Sequence, residues 1–500
     1  MTTPQHAPAL TLRRVHLGAG GPLSDVRIDN GLVTEVHPGG EAPRRPGERD
    51  TDLDGRVLLP GLWDAHVHIA QWAAARQRLD LAGTASARQA AETVRARLAA
   101  GPAPAGPLLG YGFRDGLWPD APHKDLLDAY VPDHPTVLIS ADLHCCWINS
   151  AGLALLGLGD HPTGLLREHA CMEAIAQLPV VPEETMDRWI GEACAAAAER
   201  GITGFLDFEY ADNIADWTRR MSAGRVPVRV AASVWTPHLE AAIARGLRTG
   251  DAIGVPGGGL LEMGPLKLLT DGSLNTRTAL CHDPYPGMDA GHAEARGLAR
   301  YTHDELVTVM RRAAAHGIDC AVHAIGDRAN EMALDAFEAV RCRGRIEHAQ
   351  LVTPEDEPRF AALGVTASIQ PSHAVDDRDV ADRHWAGRTH RAFPYGALRA
   401  AGATLELGSD APVAPLDPWT GIADAVARTD DDRPAWHPEH RLPLDYVLGA
   451  AARGRHAVRV GDPADLAVVD TDPLTADADT LRHMPVHGTL LAGEWTYLSS

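Results

Sequence analysis

The sequence predicts an α/β fold: a (β/α)8, TIM-like barrel with a small β-domain assembled from both ends of the chain. Three observations predict it. Eight short apolar strands alternate with amphipathic helices through the middle of the sequence. No Gly-rich phosphate loop follows the first of these strands, which argues against a doubly wound nucleotide-binding sheet. Both chain ends alternate strand-like runs with turn residues, and neither has enough apolar side chains to close a core alone.

Taken in order, residues 1–59 contain LTLRRVHL, DVRIDNGLVTEVHPGG and RVLLPG, which read as short strands separated by turns. Residues 455–500 repeat the pattern in PADLAVVD and VHGTLLAGEWTYL, so the two ends are expected to pair into one composite β-domain. The barrel is expected over 60–454. Its strands are LWDAHVH (62–68), TGFLDF (203–208), VRVAASV (228–234), GPLKLLTD (264–271), DCAVHAI (319–325), RIEHAQ (345–350), TASIQP (366–371) and TLELGSD (404–410). Helices fall between them, as in THDELVTVMRRAAAHG, where Thr302 and Glu305 form a capping box. The first connection is far longer than one helix needs. With its own helix (TASARQAAETVRARLAA) and strand (TVLIS), it predicts an inserted subdomain over about 73–200.

The 500 residues amount to about three typical domains, which excludes one small fold. Hydrophobic residues at 45% and charged residues at 23% exclude a disordered or fibrous chain. Against 46 basic residues stand 67 acidic ones, and the net charge of −21 disfavours nucleic acid or an anionic membrane as partner. No apolar run approaches the length of a spanning helix. Seven cysteines with no paired Cys-x-x-Cys motif predict free thiols in a reducing compartment. The first residues lack the apolar core of a secretory signal, and the expected location is the cytoplasm.

His66 and His68 flank Val67 at the end of the first strand. Residues two apart on a strand point to the same side, so both imidazoles can reach one point. Alone, the pair reads equally well as two half-buried histidines on an edge strand. The other polar strand ends change that reading: Lys267 closes the fourth strand, His323 the fifth, His348 the sixth and Asp410 the eighth. In a barrel these ends converge on one mouth. Four histidines and an aspartate there supply N and O ligands suited to zinc or another divalent transition metal. Lys267 stands out further, because it and Lys124 are the two lysines of an otherwise Arg-based chain.

PGLWDAHVH, GPLKLLTDGSLNTRTA, AVHAIGD, RIEHAQ and LGSDAPV resemble, in order, the motif series of the metal-dependent amidohydrolase superfamily, and within it the N-substituted formamide deformylase-like branch. DLLDAYVPDHPTVLISADLHCCWINSAGL and GDPADLAVVDTDP extend the resemblance over most of the chain. It implies a metallo-barrel with His66, His68, His323, His348 and Asp410 as metal ligands and Lys267 contributing as a carboxylated lysine. One or two ions per chain, with zinc the first candidate, fit that implication. Cys145 and Cys146 stand where relatives usually have small residues, so the resemblance does not carry a particular substrate over to this chain.

A bound divalent cation lowers the pKa of its water from 15.7 to about 7, giving hydroxide at neutral pH. Asp410 beside that water is suited to shuttle its proton to the leaving nitrogen, and His323 or His348 to polarise the scissile carbonyl. His144 and Asn149 in the insertion motif read equally as substrate contacts or as local turn bonding. Asp271 and Arg277 follow Lys267 on one loop, either orienting substrate or forming a loop ion pair, and Gln370 ends the seventh strand facing the mouth.

The expected function is hydrolysis of a non-peptide C–N bond in a small molecule, an N-substituted amide or formamide. The same metal site would also serve a cyclic amide hydrolase, a deaminase or a decarboxylase. A non-catalytic metal-binding scaffold is the alternative from another class, although structural sites are normally closed and Cys-rich. Self-association into a homo-oligomer is left open.

Overall fold

The computed structural model describes residues 8–499 apart from 103, 105, 225, 256 and 257. Eight parallel strands form the central sheet: β1 (Leu62–Val67), β2 (Ile202–Asp207), β3 (Arg229–Trp235), β4 (Leu261–Leu269), β5 (Cys320–Ala324), β6 (Gly344–His348), β7 (Thr366–Ile369) and β8 (Leu405–Leu407). They follow one another in sequence order, each hydrogen-bonded to the next, as the alternating pattern predicts. β1, β2 and β5 are buried along their whole length because a parallel sheet is covered on both faces. Outside lie helices with one buried stripe. His303–Ala314 begins with the expected capping box: Glu305 donates its N–H to the Thr302 hydroxyl, and the Glu305 carboxylate accepts from the Thr302 N–H.

The seam between β8 and β1 is closed differently. β8 is three residues long, and its end meets β1 through one parallel bridge, Val67 with Ala411. Asp410 donates its backbone N–H to the His66 carbonyl at 2.7 Å, and His68 donates to the Ala411 carbonyl at 2.8 Å. The buried Asp64 carboxylate completes the seam by accepting from the amides of His66 and Ser409, each at 3.0 Å.

The chain ends share a second sheet. Leu466–Val469 pairs antiparallel with Val57–Pro60, which pairs parallel with Leu10–Leu17; the hairpin Val486–Leu491 and Glu494–Leu498 extends one edge. Its core draws Leu10, Leu12, Val26 and Ile28 from one end and Leu466, Val468 and Leu490 from the other.

A third, five-stranded sheet is built between β1 and β2 from Leu79–Asp80, Leu108–Phe113, Thr136–Ser140, Cys145–Ile148 and Leu165–Arg167. Within the span 73–200 expected to be inserted, helix Glu183–Ala198 instead packs into the barrel core through Ile190, Ala193, Cys194 and Ala197. It is the helix that leads into β2, and the barrel core buries its apolar stripe. The inserted sheet is fastened over the barrel mouth by polar contacts. The Tyr111 hydroxyl donates to the Pro412 carbonyl at 2.5 Å, Arg114 pairs with Asp376 at 2.9 Å, and Asp142 accepts from Ser273 and Asn275 at 3.3 and 3.2 Å. All seven cysteines are free thiols, Cys145 and Cys146 among the buried ones. No helix among the described residues is long and apolar enough to cross a membrane.

The seam makes Asp64 a stability determinant. Asp64→Ala leaves two buried amides without an acceptor, and each such loss costs about 1–3 kcal/mol. Denaturant unfolding is expected to show a drop of that size, and an unchanged midpoint would mean that the backbone bonds alone close the barrel.

Candidate metal centre

β1 ends in the mouth with His66 fully buried and His68 partly open. Both rings turn to the same carboxylate: each Nε2 lies 3.3 Å from Asp410 Oδ1. From the opposite side, His348 Nδ1 lies 4.0 Å and His373 Nε2 3.9 Å from Asp410 Oδ2. The Lys267 amine is 3.3 Å from His66 Nε2 and 4.2 Å from the centre of the Phe208 ring. The ladder sets this arrangement, since Leu269 pairs with His323 and Ala324 with His348 across β4, β5 and β6. His348 and Asp410 both adopt left-handed backbone, with φ of 77° and 58°. Such strain in non-glycine residues persists only where surrounding bonds impose it.

Hydrogen bonds fix the rings. His66 Nδ1 contacts Glu347 Oε2 at 2.6 Å, so the proton belongs on Nδ1 and the Nε2 lone pair faces the site. Glu347 is held in turn by Arg345 at 2.5 Å, and Arg345 by Glu406 at 2.6 Å. His348 gives its Nδ1 proton to Gln370 Oε1 at 2.9 Å, which frees its Nε2 in the same way. The His373 Nδ1 accepts from Gln350 at 3.3 Å.

Burial, together with the Lys267 charge, lowers His66 to about 4. Burial also lowers Lys267, to about 8, against the pull of Glu347 and Asp410. His68 moves up instead, because the Asp410 hydrogen bond and charge outweigh its burial. Asp410 resists the upward push of burial and is held well below the usual carboxylate range by His66, His68 and His348. Burial raises the Asp64 carboxyl to about 6, against the hydrogen bonds from Ser409 and His66.

The donor set fits a divalent cation. His66, His68 and Asp410 form one group, and His348, His373 and Asp410 another, with ligand atoms within 4.8 Å of one another in each. Two ligands of one zinc ion, bound at about 2.1 Å, lie at most about 4.2 Å apart. The 3.3 Å separations of His66 and His68 Nε2 from Asp410 Oδ1 therefore suit a shared ion. His373 Nε2 is buried with no hydrogen-bond partner among the described residues.

The remaining sequence candidates divide. Gln370 lies in the site, bonded to His348. His323 is there too, its ring 4.5 Å from that of His348, but its Nε2 faces Asp271 Oδ1 at 3.3 Å and the Gly272 carbonyl at 3.2 Å. Asp271 accepts three backbone amides, from Leu280, Ile325 and Gly326, and so anchors the loop after β4 instead of facing substrate. His144 Nδ1 is bound to Glu168 at 3.0 Å. Asn149 is fully buried, caps helix Ser150–Leu155 and spends its amide on Thr136, Gly152, Val131 and His134. Of its two sequence readings, the structure supports local turn bonding, because no donor or acceptor is left for a ligand. Arg277 lines a cavity beside the mouth.

Asp64, Glu347 and His373 were not singled out in the sequence. Glu347 sits beside His348 in RIEHAQ, but only the fold turns it to His66. His373 follows β7 in QPSHAVDD, and a polar residue there carried no spacing signal.

Residues 51–497 match the amidohydrolase family. The chain belongs to that family. It is an amidohydrolase, a hydrolase of C–N bonds. It is 27% identical over 529 residues to YtcJ of Bacillus subtilis, a match that covers 97% of this chain and 98% of that one. It is also 27% identical over 529 residues to the N-substituted formamide deformylase of Arthrobacter pascens, covering 96% and 94%. Among solved structures, an uncharacterized metal-dependent hydrolase of Pyrococcus horikoshii is 25% identical with a TM-score of 0.77, over 94% of this chain and 99% of that one.

Within this amidohydrolase, Glu347 is the group that orients His66. Glu347→Gln keeps the shape but weakens the anchor, and loss of such a support typically costs about 10–100-fold in metal affinity. Competition with a chromogenic chelator measures it, and unchanged affinity would remove Glu347 from the centre.

Proposed function

We propose that this amidohydrolase cleaves an N-substituted amide or formamide, with zinc or another divalent transition metal held by His66, His68, His348 and Asp410. The observation that carries the reading is the convergence of the His66 and His68 Nε2 atoms on one oxygen of Asp410, with the His348 and His373 rings beside the other. The similarity to the Arthrobacter pascens deformylase supports the formamide arm of the proposal. When bound, the cation supplies Lewis acidity and makes water acidic enough to ionise near neutral pH.

The chain's own residues do the rest. Asp410, ionised and lodged among imidazoles, accepts the proton of the attacking water and passes it to the leaving nitrogen. His373 accepts from Gln350 at Nδ1, so its remaining proton is assigned to Nε2, where it donates to the scissile carbonyl oxygen as charge develops. His323, tied to the loop after β4, fixes the wall of the site on the side of the inserted sheet. Asp410→Asn keeps shape and one oxygen but loses basicity. Turnover is expected to fall by about two to four orders of magnitude, with a much smaller fall in metal content. Near-normal turnover in that variant would leave Asp410 a structural role only.

Lys267 belongs to the same proposal. As an ammonium it would repel a cation held by His66, 3.3 Å away. A neutral Lys267 amine adds to carbon dioxide, forming an N–C bond and releasing a proton to solvent, and the resulting carbamate would replace a repelling charge with two oxygens able to help hold a divalent cation. Arginine cannot follow this route, because its pKa exceeds 12. Lys267→Arg is expected to abolish activity, and short carboxylic acids to restore part of it in Lys267→Ala. A bare amine in a crystal of fully metallated, active enzyme would overturn the carbamate.

A further inference from the structure

A cavity of about 180 Å3 lies where the inserted sheet meets the loops after β4 and β7, lined by Asp115, Arg167, Asn275, Arg277, Arg383 and His384 among others. Its charge runs against that of the chain. Three guanidiniums face one carboxylate, whereas the protein as a whole carries −21.

The three arginines are not equivalent. Arg167 is paired with Asp115 at 3.4 Å, and Arg383 donates to the Gly116 carbonyl at 2.9 Å. The side chain of Arg277 makes no hydrogen bond or ion pair among the described residues. The nearby acids have other partners: Glu168 accepts from His144, Thr276, Thr278 and Arg300, and Asp142 from Ser273 and Asn275. His384, the remaining titratable group of the lining, is lowered to about 4 by burial and by Arg277 and Arg383, so it adds no competing charge.

The position of Arg277 is also enforced. Its φ of 61° is left-handed, a conformation that a non-glycine residue adopts only under constraint. Ser273 and Thr278 supply that constraint, since the Ser273 amide donates to the Thr278 hydroxyl at 2.9 Å across the turn. The same loop touches the metal centre, because the Gly272 carbonyl contacts His323. Arg277 lies five positions after Gly272, a span of at most about 18 Å even when fully extended.

We propose that this cavity is an anion subsite and that the amide substrates carry a carboxylate on the arm remote from the scissile bond. Arg277 is the specificity-determining group, since a planar guanidinium recognises a carboxylate through two parallel hydrogen bonds. The inference rests on the C–N hydrolase reading of the metal centre and names the substrate class within it.

The test uses N-formyl ω-amino acids from glycine to 6-aminohexanoate, each beside its carboxamide, with metal-loaded enzyme. One chain length is expected to favour the carboxylate in kcat/KM by about 10- to 150-fold, the scale of a hydrogen bond to a charged group. In Arg277→Met that carboxylate-to-carboxamide ratio is expected to fall to near one, and in Arg277→Lys to be partly restored. No preference at any length, or a preference that survives Arg277→Met, overturns the subsite. If the enzyme turns over neither series, the formamide reading fails, and calorimetric titration with glutarate and glutaramide decides the subsite by itself. Glutarate binding weakened tenfold or more by Arg277→Met then supports it, and equal binding to both enzymes overturns it.

Discussion

The buried Asp64 carboxylate is the contact on which the rest of the active site depends. A closed barrel needs its last strand to meet its first, but β8 offers only three residues and a single bridge to β1. Asp64 accepts one amide from β1 and one from the segment after β8, and so welds the two. His66 and His68 lie on one side of this weld and Asp410 on the other. Closing the barrel and assembling the candidate ligand group are therefore the same event. Burying a carboxylate is unfavourable unless donors surround it, and the amides of His66 and Ser409 are those donors.

The same logic runs outward in shells. His66 is oriented by Glu347, Glu347 by Arg345, and Arg345 by Glu406, so an ionic chain runs from the buried site to a half-buried glutamate on β8. A buried ion pair contributes little to net stability, but breaking one is strongly unfavourable, and such a chain resists loss of any single member. The left-handed backbone at His348 and Asp410 fits this picture, since strain at two site residues is tolerated where neighbouring bonds over-determine them.

The inserted sheet is tied to the loops after β4, β7 and β8 by Asp142, Arg114 and Tyr111. Each of these loops leaves the end of the barrel at which the site residues cluster. The insertion thus forms one wall of the approach to the site, and the cavity containing Arg277 lies at that boundary. Ligand choice can change at this boundary through loop and insertion residues without disturbing the buried centre.

Much of this was legible in the sequence, because it rests on local periodicity. Eight apolar runs spaced by amphipathic helices specify strands and helices one at a time, and a parallel sheet leaves one economical way to join them. The strand-end positions of His66, His68, Lys267, His323, His348 and Asp410 followed from the same spacing, since a barrel gathers strand ends at one mouth. Tertiary structure decided what depends on side chains meeting across distant segments. Helix Glu183–Ala198 reads as part of the insertion until the barrel offers its stripe a core. Asn149 became a cap and Asp271 a loop anchor once backbone amides reached them. Asp64, Glu347 and His373 carry no periodic signal. Their partners lie up to several hundred residues away, and only the closed barrel brings a carboxylate to His66 and the His373 ring to Asp410.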